Sequence, residues 1–386
     1  MHLKVDKMER IKIGLFVPWL KSKGGVEKVI SAILKDKNFD ITVYTLFYRP
    51  DSTFDEFRHA DVKVIGNLSG EHFLSKGFKL GLFLLTHKIE GLDEKDIFLI
   101  STAGVSEITA LRNRHRRTVA LCHTPLRAAH SMYDYYRKRG LKYRVLLPPA
   151  AGVYKYFEKA SWKNIKYALV LSEEVKTRLV KYGLMENNRI FKLGPVVDYN
   201  SIKKTAKPEK IILYNSRFTP YKRQELAILA FRRSKLKDSG FRLILSGFIE
   251  DKDYFDKINR LVSGDNSIEV IPNLSGGKLA SLYKKCYATL FLAVNEDTGL
   301  VPLESLAYGK PVISVNEGGP KEFIKNMKNG LLVKADADEI ASAMNKLSNK
   351  KIYGKLRKGA LSSKVYDERA FLANFDSAIK KIVNKV

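Results

Sequence analysis

From end to end the chain alternates between short β-branched or aromatic runs and stretches whose apolar residues recur at helical spacing. That alternation confines it to few folds. Ile11–Val17 is a short apolar run leading to a turn at Ser22–Gly25, after which Val26, Val29, Ile30, Ile33 and Leu34 repeat at helical spacing. Ile41–Phe47 reads as a second strand, and Ile97–Ser101, Thr118–Cys122 and Ala168–Ser172 as further short ones. Strand–helix–strand repeats predict a parallel sheet with helices on both faces. The stretch Tyr199–Lys210, with Lys203, Lys204, Lys207 and Pro208, has no apolar period and reads as a linker. A second cycle then begins with the Ile211–Asn215 strand and the Gln224–Arg233 helix, and continues through strands at Arg242–Ser246, Ile268–Ile271, Ala288–Val294 and Pro311–Val315. The helices predicted between and after them are Tyr254–Val262, Lys278–Lys285, Pro302–Tyr308 and one from Ala337. The sequence therefore predicts an α/β protein of two doubly wound, Rossmann-like domains, residues 1–198 and 211–366, joined by a 199–210 linker and facing a central cleft. The tail, 367–386, is an amphipathic helix expected to pack back on the N-terminal domain. A length of 386 residues suits two domains at ~150 residues each.

Composition narrows the function. Two cysteines, Cys122 and Cys286, cannot build a disulfide framework or a four-cysteine zinc site, which fits a reducing compartment. The apolar run near the N-terminus is too short for a signal peptide, and GLFLL and ATLFLAV are far shorter than the ~20 residues of a membrane-spanning helix. The expectation is a cytoplasmic protein, soluble or peripheral. Its net charge of +28 is unevenly spread: Leu111–Lys166 holds 14 Lys/Arg and only two acids, Asp134 and Glu158. Tyr133, Tyr135, Tyr136, Tyr143, Tyr154, Tyr156 and Trp162 are interleaved with these cations. Such a window favours an anionic partner, and an anionic membrane surface suits the aromatics best. No nucleic-acid-binding module is recognisable, so nucleic acid is not expected as a partner.

The strongest chemical signal is Asn295-Glu-Asp-Thr-Gly-Leu-Val-Pro-Leu-Glu304, just after the predicted strand ATLFLAV. Thr298–Val301 would form a turn and Pro302 a first-turn position of the next helix, offering backbone N–H groups to a phosphate. Glu304, in the first turn and eight residues after Glu296, could accept hydrogen bonds from ribose hydroxyls; Glu296 could do the same for a sugar ring. Arg217 and Lys222 suit two phosphates, one as a planar fork and one as a mobile point charge. Losing either is expected to cost alike. Gly24 and Gly25 would let backbone approach a ligand closely. His123, before Thr-Pro, belongs on a loop at the carboxyl edge of the first sheet, whereas His115 and His130 read as solvated. Asp251-Lys-Asp253 reads as a loop and helix start, and no metal constellation is present.

The context of these residues carries a resemblance. Gly309-Lys-Pro-Val-Ile-Ser314, Glu317-Gly-Gly-Pro-Lys-Glu322 and Asn329-Gly-Leu-Leu-Val333 follow the two glutamates at matching spacings. Asn215-Ser-Arg-Phe-Thr-Pro-Tyr-Lys222 and Ser22-Lys-Gly-Gly-Val-Glu27 precede them. Together these segments resemble glycosyltransferase family 4, retaining enzymes of the GT-B fold with an E-x7-E motif, and Leu121-Cys-His-Thr-Pro-Leu-Arg127 is most similar to the family's mannosyltransferases. The resemblance implies transfer of a hexose, mannose from GDP-mannose first, from a nucleotide diphosphate sugar to a glycan or lipid-linked acceptor. UDP-glucose or UDP-N-acetylglucosamine is the alternative donor, and a non-catalytic GT-B binding protein the alternative of another class. It implies His123 and Glu296 as catalytic residues beside the donor sugar. Gly24, Gly25, Arg217, Lys222, Thr298, Gly299, Leu300, Val301 and Glu304 would hold the donor, with no metal or other cofactor. One departure is the segment Phe248-Ile-Glu-Asp-Lys-Asp253, where the family often has a Gly-rich turn.

Overall fold

A computed structural model describes residues 10–66, 73–197, 206–364 and 366–385, without the side chains of 73–78 and 103. Most of the predicted linker, 199–205, lies outside the described residues. The chain divides into two compact units, Met1–Val196 with Glu368–Val386, and Val197–Asp367.

The first unit is built on a seven-stranded parallel sheet in the spatial order Asp61–Val64, Phe39–Thr45, Ile11–Phe16, Ile97–Ala103, Thr118–Thr124, Tyr167–Val170, Ile190–Lys192. Successive side chains of a strand point to opposite faces. Leu15, Leu99 and Leu121 accordingly join one core, and Phe16, Phe98, Ile100, Ala120 and Cys122 the other. Both faces are covered, which explains why the central strands carry short continuous apolar stretches, such as Ile97-Phe-Leu-Ile100. The last helix, Glu368–Val383, contributes Phe371, Phe375 and Ile379 to the core that holds Val29, Ile30 and Ile33.

The second unit repeats the plan with six parallel strands: Ile268–Pro272, Arg242–Gly247, Ile211–Asn215, Ala288–Phe291, Val312–Val315, Gly330–Val333. Helix starts are set by local capping. Asp251, the first acid of the D-x-D sequence, caps the Lys252–Val262 helix, its Oδ1 accepting from Tyr254 N at 2.9 Å.

In each sheet the order reverses beside the unit's first strand, between Ile11–Phe16 and Ile97–Ala103 and between Ile211–Asn215 and Ala288–Phe291. Loops leaving the carboxyl ends of strands at such a switch point diverge and leave a crevice, the usual ligand site of open α/β sheets.

Three local expectations need correction. The predicted strand Ala288–Val294 stops at Phe291, because Leu292 O accepts from Arg223 Nη1 and Val294 N donates to Tyr221 O, drawing the chain onto the neighbouring loop. The following helix runs Leu300–Ala307, so Glu304 stands in its second turn; Gly299, left-handed at φ 83°, starts the helix earlier than Pro302 suggests. A 24-residue helix, Leu141–Asn164, spans Pro148 and Pro149, where sequence analysis assigns none.

Candidate active site

In the second unit the loop after the first strand carries Arg217 and Lys222. Gly247, at φ 147°, makes room for it: a Cβ there would fall 2.0 Å from Ser216 O. Lys222 ends a 3₁₀ turn, Pro220–Lys222, and is only 6% exposed. Its carbonyl accepts from Tyr214 Oη, and its ammonium is paired with Glu296 Oε2. Two residues from motifs 74 positions apart are thus one ion pair. Arg217 differs: its side chain is half exposed and Nη1 lies 2.7 Å from Glu250 Oε2. Glu250 comes from the segment that departs from the family pattern, so that departure supplies a counter-charge to Arg217.

Arg223, which sequence reasoning passed over, ties the site's loops together. It sits in the left-handed region at φ 59°, an unusual conformation for a residue with a Cβ. Its Nη1 reaches Glu317 Oε1 at 3.1 Å, and Glu317 Oε2 accepts from Asn295 N at 3.3 Å. The glycines after Glu317 are needed because the Glu296–Asp297 backbone lies against them. A Cβ on Gly318 would fall 2.2 Å from Glu296 O, and one on Gly319 2.2 Å from Asp297 O. Gly319 N donates to Glu296 O at 2.8 Å.

Glu304, on the Leu300–Ala307 helix, accepts from Tyr283 Oη at 3.2 Å through Oε2, and Asn215 Nδ2 donates to Tyr283 Oη at 3.3 Å. Burial first, and then the Glu304 charge, pushes the Tyr283 phenol well up, so it stays a neutral donor. Thr298, Gly299, Leu300 and Val301 form the start of this helix, and no side chain caps it.

In the first unit His123 belongs to the strand Thr118–Thr124 itself, near its carboxyl end, and is 9% exposed. Its Nε2 is 3.1 Å from Ser101 Oγ. Burial pushes its pKa down to about 4, so at neutral pH the imidazole is uncharged. Gly24 precedes the Gly25–Leu34 helix in extended backbone, and the nearest atom to a Cβ there would be Glu27 Oε2 at 2.6 Å, the end of a flexible side chain that can turn aside.

The His130 side chain is buried rather than solvated, and His115 is half-buried with both ring nitrogens engaged. His115 Nε2 lies 2.9 Å from Lys95 O, and its Nδ1 accepts from Arg117 N. His130 Nε2 is 2.7 Å from Glu158 Oε2, and its ring stacks on Tyr182 at 4.2 Å. Tyr154 Oη, 2.6 Å from Glu107 Oε1 and 3.0 Å from Glu158 Oε1, links a second buried carboxyl group to the pair. Burial pushes Glu107 up to about 8, against the pull of the Tyr154 hydrogen bond.

These two shifts oppose one another. His123 ionises at 6.5 when unfolded and about 4 when folded, so its contribution to stability is present above 6.5 and is lost as pH falls toward 4. Glu107 holds its proton to about 8 when folded against 4.5 unfolded, so its contribution is complete below 4.5 and is lost as pH rises to about 8. Relative to wild type, His123→Gln should therefore flatten the acid-side loss of stability, and Glu107→Gln the loss toward pH 8, in urea midpoints measured across pH. Parallel curves for all three proteins would contradict both assignments.

Among the described residues, no group of three or more His, Cys, Asp or Glu could hold a metal ion, and no helix is long and apolar enough to cross a membrane.

Residues 198–360 match the family Glycosyl transferases group 1. Alpha-1,3/1,6-mannosyltransferase ALG2 of Kluyveromyces lactis is 24% identical over 94% of this chain and 83% of its own length. ALG2 of Rhizomucor pusillus is 26% identical over a shorter match, 41% of this chain and 42% of that protein. Among solved structures, Anabaena Alr3699/HepE in complex with UDP and glucose superposes with a TM-score of 0.71 at 17% identity, covering 96% of this chain and all of that one. Fold and match together define the class: the chain is a glycosyltransferase with the GT-B fold. Within that class it is similar, along most of its length, to the ALG2 mannosyltransferases.

Proposed function

We propose that this glycosyltransferase moves a hexose, mannose from GDP-mannose first, from a nucleotide diphosphate sugar to a glycan or lipid-linked acceptor, with retention of anomeric configuration. The observation that carries the reading is the Lys222–Glu296 pair, a buried cation and a carboxylate held together at the switch point of the second sheet. A departing nucleoside diphosphate gains negative charge, and a fixed ammonium there lowers the barrier directly. Glu296 would hold the sugar's hydroxyls beside that cation, and Glu304, oriented by Tyr283, would hold the ribose. The backbone at Thr298–Val301 would face the phosphates. On the acceptor side, Gly24 and Gly25 would let the ligand approach the backbone of the first unit.

His123 enters as a neutral group. An uncharged imidazole can hydrogen-bond a sugar hydroxyl but holds no proton to donate as imidazolium. Front-face attack then fits, with the leaving phosphate taking the acceptor's proton. ALG2 relatives favour mannose. A UDP-sugar is the second reading, favoured by the likeness in fold to HepE with its bound UDP.

A thermal-shift panel of nucleoside diphosphates tests the reading. At 100 times its dissociation constant a ligand stabilises by ~2.7 kcal/mol, or roughly 5–10 °C for a unit of this size. GDP is expected to give the largest shift, and no shift from any nucleoside diphosphate would contradict the donor site. The reaction is also proposed to need no metal: Asp251 is engaged as a helix cap, and activity should survive excess EDTA. Loss in EDTA with recovery in Mn²⁺ or Mg²⁺ would refute this. Attachment to the cytoplasmic face of a membrane completes the proposal.

A further inference from the structure

The ten residues Arg137–Leu146 are all solvent-exposed, although seven of them lie in helix. They include five cations, Arg137, Lys138, Arg139, Lys142 and Arg144, and no acid. Among the described residues none of the five has a carboxylate partner; Arg137 instead lies over the Tyr133 ring at 5.5 Å. Interleaved with them are Leu141, Val145 and Leu146, exposed by 76%, 58% and 52%. Leu141 and Val145, four apart, share one helix face.

A helix start exposed all round, with uncovered aliphatic side chains, is unusual in a soluble protein. Pro148 and Pro149 partly detach it: having no N–H, they leave the carbonyls of Arg144 and Val145 without their ordinary helical donors. Beyond the prolines the same helix is anchored by buried Ala151, Glu158, Ser161 and Trp162. Glu158, one of only two acids in the whole Leu111–Lys166 window, is inward-facing and only 1% exposed, so the outer face carries little but positive charge. At the base of the projecting turns a cavity of about 490 Å³ is lined by Asp134, Arg137, Lys138, Gly140, Leu141 and Arg144.

We propose that Arg137–Leu146 is a docking surface for an anionic bilayer, its cations on the headgroup phosphates and Leu141, Val145 and Leu146 in the acyl boundary. Charge complementarity selects anionic lipid, and the uncovered aliphatics select a bilayer over a purely polar polyanion such as nucleic acid. The cavity is wide enough for a headgroup phosphate between Arg137, Lys138 and Arg144. The inference extends the lipid-linked acceptor reading and rests on it for its purpose, but vesicle binding is measured without any transfer.

The test is co-sedimentation of the full chain with phosphatidylcholine vesicles, with and without one phosphatidylglycerol in three lipids. Wild type should pellet only with the anionic vesicles and be released by salt. Replacing Arg137, Lys138, Arg139, Lys142 and Arg144 by Gln should weaken binding on the order of ten-fold or more, and Leu141→Ser with Val145→Ser and Leu146→Ser should weaken it as well. Both variants should keep the wild-type melting temperature and the stabilisation by nucleoside diphosphate, which separates failure of docking from failure of the enzyme assignment. Four results would overturn the proposal: no binding at low salt, equal binding to neutral vesicles, unchanged binding by either variant, or a serine variant that only converts a dimer to a monomer. Retention on duplex DNA that the serine variant leaves intact, with vesicle binding unchanged, would assign the surface to a polyanion instead.

Discussion

Replacing Lys222 by alanine is expected to cut kcat/KM by about 10²–10³-fold, or ~2.7–4 kcal/mol, the cost of removing one fixed stabiliser of transition-state charge. Arg217→Ala should cost less, because its guanidinium is half exposed and solvent replaces part of what it supplies. The structure thus separates two cations that sequence alone weights equally. Because Lys222 and Glu296 hold one another, Lys222→Ala, Glu296→Ala and the double variant should be strongly non-additive. Steady-state kinetics on the three proteins give the coupling. Simple additivity of the logarithms would mean that the pair does not act as a unit.

The second large effect is on stability. Glu158→Ala should destabilise the first unit by on the order of 3 kcal/mol, since it strips a buried partner from His130 Nε2 and from Tyr154 Oη at once. Glu158→Gln keeps the shape and an acceptor and should lose less. Urea midpoints for the two variants decide it, and a loss under about half a kcal/mol in the alanine variant would contradict a satisfied buried network. This cluster joins the loop after His123 to the helix whose exposed start is the proposed docking surface. Its integrity therefore bears on both.

What could be read in the sequence and what could not divides along a physical line. The central strands were legible because both sheet faces are buried, which leaves short apolar runs such as Ile97-Phe-Leu-Ile100. Glu296, Glu304, Arg217 and Lys222 stood out through spacing within local motifs. Their partners did not: Arg223 meets Glu317 from 94 residues away, and Tyr283, on the Gly276–Lys285 helix, meets Glu304 on the Leu300–Ala307 helix. Such pairings follow from which strand ends lie side by side, and no local period records that. Only the left-handed conformation of Arg223 marks it, and that is a property of the backbone.

The burial of His130, Glu158 and Glu107 was hidden for a related reason. Each is a polar residue whose own neighbours look solvated, and it is the packing of the Leu141–Asn164 helix that encloses them. That helix was itself obscured by Pro148 and Pro149, which break the local signal while tertiary packing holds the second half in place. The short edge strands Asp61–Val64 and Ile190–Lys192 were missed because half-exposed edges lack a continuous apolar run.

The proposed donor site is the Lys222–Glu296 pair of a retaining hexosyltransferase. Its most direct test is incubation of wild type, Lys222→Ala and Glu296→Ala with GDP-mannose, UDP-glucose and UDP-N-acetylglucosamine in turn, following nucleoside diphosphate release and the anomeric configuration of the product by NMR. The wild type is expected to release nucleoside diphosphate, fastest with GDP-mannose, and to give a product that retains the donor's α configuration, with a loss of about 10²-fold or more in each variant. Turnover of every donor unchanged in both variants, or an inverted product, would contradict it.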